Sequence, residues 1–142
     1  MADPVKNVRS AMFPAQAAQL RNLTDFVERF CGAEDIERPR CLRLNVVLEE
    51  LFINTVRHGH GGDCGAPVWV MLAAGADVVR VTYEDTAPPF NPFAHLPAKG
   101  PDTTLEMRKI GGLGVLLARE LSNVREYAYV FGRNRIRLQL MR

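Results

Sequence analysis

Hydrophobic spacing along the chain changes character several times, and each change marks an element. Residues Val5 to Phe13 read as a short edge strand. From Ala15 to Phe30 the apolar positions Leu20, Leu23, Val27 and Phe30 recur at three and four residues, the period of a helix packed on one side. Pro14 suits its first turn and Gly32 its end. Pro39 opens a second helix that runs to the cluster Gly59, Gly61 and Gly62. The period then falls to two. Val68 to Ala73 and Val78 to Asp85 form a strand pair about a turn at Ala74-Gly75-Ala76. Thr86 to Lys109, with Pro88, Pro89, Pro92, Pro97 and Pro101, has little periodicity. A loop that long inside a compact domain is usually functional or mobile. It leads to Gly111-Gly112-Leu113-Gly114, then to an apolar helix from Val115 to Leu121. Strands Val124 to Phe131 and Arg135 to Met141, about a turn at Gly132-Arg133-Asn134, close the chain.

Two polar residues interrupt the apolar logic of the second helix. At ~100° per residue, Leu44, Val47, Leu48, Leu51 and Thr55 share one face. Glu50 and Asn54 fall together beside that stripe, whereas Glu49 points away from it. Side chains four residues apart are neighbours on a helix, so a carboxylate and an amide here can converge on one ligand. They can equally be the polar flank of an amphipathic helix. A third anomaly is Asp85. Val79, Val81, Tyr83 and Asp85 share the face that meets the helices, while Arg80, Thr82 and Glu84 face water.

Composition narrows the partners. The chain has 142 residues, enough for one domain with a sizeable core, and its 47% apolar and 24% charged residues match a globular protein. A net charge of +2 is too weak to argue for nucleic acid or an anionic membrane as the partner. Arg133, Arg135 and Arg137 alternate with Ile136, Leu138 and Leu140, so they read as the solvated face of a strand. Cys31, Cys41 and Cys64 are odd in number and lack metal or redox spacing, which points to reduced thiols in a cytoplasmic protein. His58, His60 and Cys64 lack an evident fourth partner for zinc. Neither a secretory leader nor an apolar run of ~20 residues is present.

A glycine-rich turn feeding a helix favours anions, since its amides approach a phosphate closely and the helix dipole assists. The triplet Gly111, Gly112 and Gly114 fits neither the dinucleotide nor the Walker fingerprint, and alone it is only a tight loop. Its order behind Glu50, Asn54 and Asp85 gives it weight.

That order resembles the GHKL (Bergerat-fold) ATPases, the superfamily of histidine kinases and gyrase. The Glu50-x-x-x-Asn54 helix looks like their N box, Glu84-Asp-Thr-Ala-Pro-Pro-Phe90 like their first glycine box, and Gly111-Gly-Leu-Gly114 like their second. The ending Gly112-Leu-Gly-Val-Leu-Leu-Ala-Arg119, with Tyr127 and Gly132-Arg-Asn-Arg-Ile136, is most similar to bacterial anti-sigma-factor serine kinases. The resemblance spans nearly the whole chain as one domain, residues 1–142. It implies an α+β two-layer sandwich, a mixed and mostly antiparallel sheet covered on one face by helices, with a lid near 86–110.

The resemblance also implies roles. Glu50 would be the general base, and Asn54 would hold Mg²⁺. Asp85 would accept a hydrogen bond from the adenine amino group, with Ala87 beside it. Gly111, Gly112, Leu113 and Gly114 would wrap the phosphates of ATP. Lys109 and Arg108 could reach them from the lid, or be solvated lid charges. His58 matches a histidine at the end of the N-box helix, and its nearness to the apolar face favours a structural place. One departure stands out: Ala87 replaces the middle glycine of the first glycine box, and Pro88-Pro89 removes two amide donors. The implied activity is an ATP-dependent protein serine/threonine kinase, a homodimer that binds a sigma factor and phosphorylates a STAS-type antagonist. A nucleotide-binding regulatory module without transfer, or an ATPase accessory to a larger complex, are the alternatives.

Overall fold

The computed structural model describes residues 7–95 and 122–142. Five strands form one sheet in the order β1-β2-β3-β5-β4, where β1 is Asn7–Pro14, β2 Pro67–Ala74, β3 Val78–Asp85, β4 Ser122–Val130 and β5 Arg133–Met141. Each described ladder is antiparallel. Among the described residues two helices, α1 (Leu20–Ala33) and α2 (Arg38–Asn54), cover one face of the sheet, giving the α+β two-layer arrangement. The core lies between the layers. Leu23, Val27 and Phe30 of α1 and Val47, Leu48 and Phe52 of α2 meet Val70, Leu72, Val81 and Leu138 of the sheet.

The first helix begins later than its periodicity suggests. Ala15 donates its amide to the Ala66 carbonyl (2.8 Å) and accepts from the Cys64 amide (2.9 Å). Both backbone groups of Ala15 are therefore committed to a distant segment, so Pro14 ends β1 instead of opening a helix. A short 3-10 turn, Ala17–Gln19, intervenes, and Asp63 caps it by accepting from the Ala17 amide at 2.8 Å. Gly32 does not terminate α1. The left-handed position falls on Asp35 (φ 54°), and the Ile36 amide returns to the Cys31 carbonyl, the bond pattern of a Schellman end. Ile36 is partly buried against the core, which supplies the apolar contact that accompanies this motif.

Pro39 sits in the first turn of α2, where a missing amide hydrogen costs nothing. The helix does not run unchanged into the glycines. Over Thr55–Gly59 it widens into a π turn, which advances each residue by less than 100°. Thr55 and Val56 stay buried, but His58 is turned out to solvent, away from the apolar face expected for it.

The turns also shift from their sequence reading. The β2–β3 hairpin turns at Gly75-Ala76-Asp77, because Ala74 still pairs with Val79. The β4–β5 hairpin turns on Phe131 (φ 53°) and Gly132 (φ 76°), one step before the triplet expected, and Arg133 and Asn134 already belong to β5. Two positive φ values mark a type I′ turn, for which asparagine before glycine is preferred. Phe131 meets that requirement poorly and is 95% exposed. Phe131→Asn should therefore stabilise the protein by about 1 kcal/mol, since a bulky L residue resists the left-handed region. Thermal denaturation checks this, the midpoint rising; an unchanged or lower midpoint would refute the turn assignment.

Candidate functional site

Strand alternation delivers Asp85 to the helix side of the sheet, at the last position of β3. It is only 7% exposed, among apolar neighbours where an unpaired carboxylate would be costly. Its oxygens are met by three donors. Thr55 Oγ1 donates to Oδ2 at 2.7 Å, while Asn134 Nδ2 (2.8 Å) and the Ala87 amide (3.2 Å) donate to Oδ1. A carboxylate has about four acceptor sites, so one remains, on Oδ2.

Thr55 is the link to α2. Its hydroxyl lies 3.0 Å from the Leu51 carbonyl and 2.6 Å from the Tyr83 hydroxyl. A threonine has one hydrogen, and the ionised acceptor makes the stronger bond. With that hydrogen given to Asp85, Tyr83 donates in turn, to Thr55 or to the Leu51 carbonyl at 3.1 Å. Burial pushes the Tyr83 hydroxyl well above its ordinary pKa, so it stays a neutral donor; the Thr55 bond lowers it and Asp85 raises it further.

Asn134 is the link to β5. Besides Asp85, its amide nitrogen faces the Ala87 carbonyl at 2.9 Å and the Pro88 carbonyl at 3.2 Å. Its oxygen accepts from the Phe90 amide at 3.0 Å and from the Tyr127 hydroxyl. One buried side chain thus ties the turn after β3 to both neighbouring strands. Sequence reasoning placed Asn134 in a turn and gave it no role. The available signal was its alternation with Ile136, Leu138 and Leu140, which puts it on the covered face.

Glu50 and Asn54 lie on the last turns of α2, both half-buried. Among the described residues neither side chain has a hydrogen-bond partner. Partial burial raises the Glu50 carboxyl above the ordinary carboxylate pKa, and the Glu49 carboxylate adds to this; Arg57 pulls it back. Glu49 does not point wholly away, since Thr24 Oγ1 of α1 donates to it at 3.4 Å. The elements therefore bring together Asp85, Ala87 and Thr55 around the end of β3, with Glu50 and Asn54 on the helix that supplies Thr55. Lys109, Gly111, Gly112, Leu113 and Gly114 lie outside the described residues.

The alanine in the first glycine box has a partner. Ala87 is 3% exposed, and a Cβ built on Gly59 would stand 2.7 Å from the Ala87 Cβ. The Ala87 methyl therefore occupies the space that Gly59, at the end of the π turn, leaves open. Among the described residues no three His, Cys, Asp or Glu side chains cluster as metal ligands. Glu84 differs from its sequence reading. Its side chain is 15% exposed, bound by Arg133 (3.3 Å) and Arg135 (3.4 Å), because Arg135 is its register partner on β5.

Gly59→Ala should cost about 1–3 kcal/mol of stability through overpacking against Ala87, and adding Ala87→Gly should recover part of the loss. Chemical denaturation of the two single variants and the double variant checks this; strict additivity would mean that the two positions do not touch.

No curated protein matches the chain. A family model described as the histidine kinase-like ATPase domain matches residues 13–140. That match runs from the end of β1 to the end of β5 and contains both helices, Asp85 and Asn134. The chain belongs to the histidine kinase-like ATPase domain family.

Proposed function

We propose that this kinase-like ATPase module is an ATP-dependent protein serine/threonine kinase of the partner-switching kind. It would bind a sigma factor and phosphorylate a serine on a STAS-type antagonist, as a cytoplasmic homodimer. The observation that carries the reading is the buried Asp85 carboxylate with one acceptor site left, beside a helix whose Glu50 and Asn54 are half-buried. An acceptor at the floor of a site suits the exocyclic amino group of adenine.

The donor set fits the nucleotide and its metal. Asn54 offers one neutral amide oxygen, and Mg²⁺ usually takes one or two protein oxygens with the rest from water and phosphate. When bound, Mg²⁺ neutralises charge on the phosphates. Glu50 is the group suited to accept the proton of the attacking serine hydroxyl, because partial burial brings its pKa closer to working pH than that of a solvated carboxylate. Thr55 and Asn134 do no chemistry; they hold Asp85 and the 86–90 turn in one arrangement. The Ala87 methyl lies against Gly59.

Glu50→Gln should lower transfer of the γ-phosphate by about 10²–10⁴-fold while leaving ATP affinity within a few fold. Labelled-phosphate transfer to a STAS-domain substrate, with equilibrium binding in parallel, measures both. ATP binding without transfer by the wild type would instead favour a regulatory nucleotide-binding module. Absence of ATP binding would remove the kinase reading altogether.

The raised pKa of Glu50 gives a second test. A folded-state pKa above the unfolded value means the native protein binds this proton more tightly, so the ionised carboxylate costs native stability as pH rises through that pKa. Glu50→Gln should therefore stabilise the fold at mildly alkaline pH, with the gain disappearing in acid, where Glu50 is neutral. Melting midpoints of the two proteins across that range check it; a gain that grows toward acid would contradict the assignment.

A further inference from the structure

The helix-free face of the sheet divides into two zones. On β1 and β2 it carries Val8, Met12 and Met71, which are 54%, 57% and 40% exposed, beside Trp69. On β3 and β5 it carries Arg80, Arg133, Arg135 and Arg137. An open groove of about 430 Å³, lined by Met12, Trp69, Met71, Thr82, Glu84 and Arg133, runs along the boundary. The guanidinium of Arg133 lies over the Trp69 ring, 3.6 Å from its centre, and joins the apolar zone to the basic one. An exposed apolar patch rimmed by charge marks an interaction surface.

We infer that this face docks an acidic amphipathic helix of a partner protein. Charge decides the occupant. Among the described residues the face holds four arginines on β3 and β5 against Glu84 and Glu126, and Glu84 is already bound by two of the arginines. A second copy of the chain would bring the same arginine zone, with too few carboxylates to meet it. Single-stranded nucleic acid would need an open aromatic face for stacking, but Arg133 caps Trp69.

Dimensions decide the shape. Neighbouring strands lie ~4.8 Å apart, so the apolar and basic zones are centred ~10 Å from each other. One helix of ~10–12 Å diameter, lying along the strands, reaches both. Its apolar stripe would rest on Met12, Trp69 and Met71, with its carboxylates above Arg80 and Arg137, the two arginines that do not bind Glu84. The eight residues of β2 span ~27 Å, the length of a helix of ~18 residues. This surface lies on the opposite side of the sheet from Asp85, so it does not rest on the nucleotide reading.

Trp69 is the only tryptophan, so intrinsic fluorescence reports this face directly. The probe is a synthetic 18-residue helical peptide with a leucine stripe flanked by glutamates, compared with the same peptide carrying lysines. The glutamate peptide should shift Trp69 emission saturably, with affinity at least about tenfold above the lysine peptide and falling with salt. The double variant Arg80→Glu with Arg137→Glu should reverse that preference, a result that simple loss of folding cannot produce. Equal affinity for the two peptides, or no saturable response to the glutamate peptide, overturns the inference. So does an emission shift that follows protein concentration without peptide, which would assign the face to a second copy.

Discussion

Everything around the site depends on satisfying one carboxylate inside the protein. Asp85 is taken out of water by its place at the end of β3, and three donors from three parts of the chain make that placement tolerable. Removing any one of them leaves a buried charge partly unsatisfied, which costs more than the lost bond alone. The arrangement therefore fixes its own surroundings. Thr55 registers α2 against the sheet, Asn134 registers β5, and the Ala87 amide sets the direction in which the chain leaves β3.

This constraint explains local choices that look unrelated. The π turn at Thr55–Gly59 keeps Thr55 and Val56 inward, and it brings Gly59 against Ala87 without a side chain between them. Asn134 clamps the Ala87 and Pro88 carbonyls and the Phe90 amide, so the two prolines that withhold amide donors do not leave this turn untethered. The Ala87 methyl of the first glycine box is accommodated on the helix side by Gly59, which the box itself does not contain.

Much of this was legible along the chain because it follows from short-range periodicity. Alternation in β3 put Asp85 on the covered face, and helical spacing put Thr55 on the apolar stripe with Glu50 and Asn54 beside it. What failed to show was non-local. The delayed start of α1 follows from bonds between Ala15 and residues 64–66, and no spacing within 14–20 can reveal them. Gly132-Arg133-Asn134 has turn-forming residues, so Asn134 was read as punctuation, although the hairpin closes on Phe131 and Gly132. Glu84 looked solvated because its strand face is, but two arginines of β5 close over it. Lys109 and Gly111 to Gly114, which the resemblance assigns to the phosphates, lie outside the described residues.

The most direct test of the account is the equilibrium affinity of ATP for the wild type and for Asp85→Asn. That exchange keeps the shape of the side chain while replacing an acceptor oxygen with a donor amide. Wild-type protein should bind ATP saturably, and the variant should lose about tenfold or more in affinity, from a reversed hydrogen bond at the base. Equal ATP affinity in the two proteins, with the variant still folded, would contradict it.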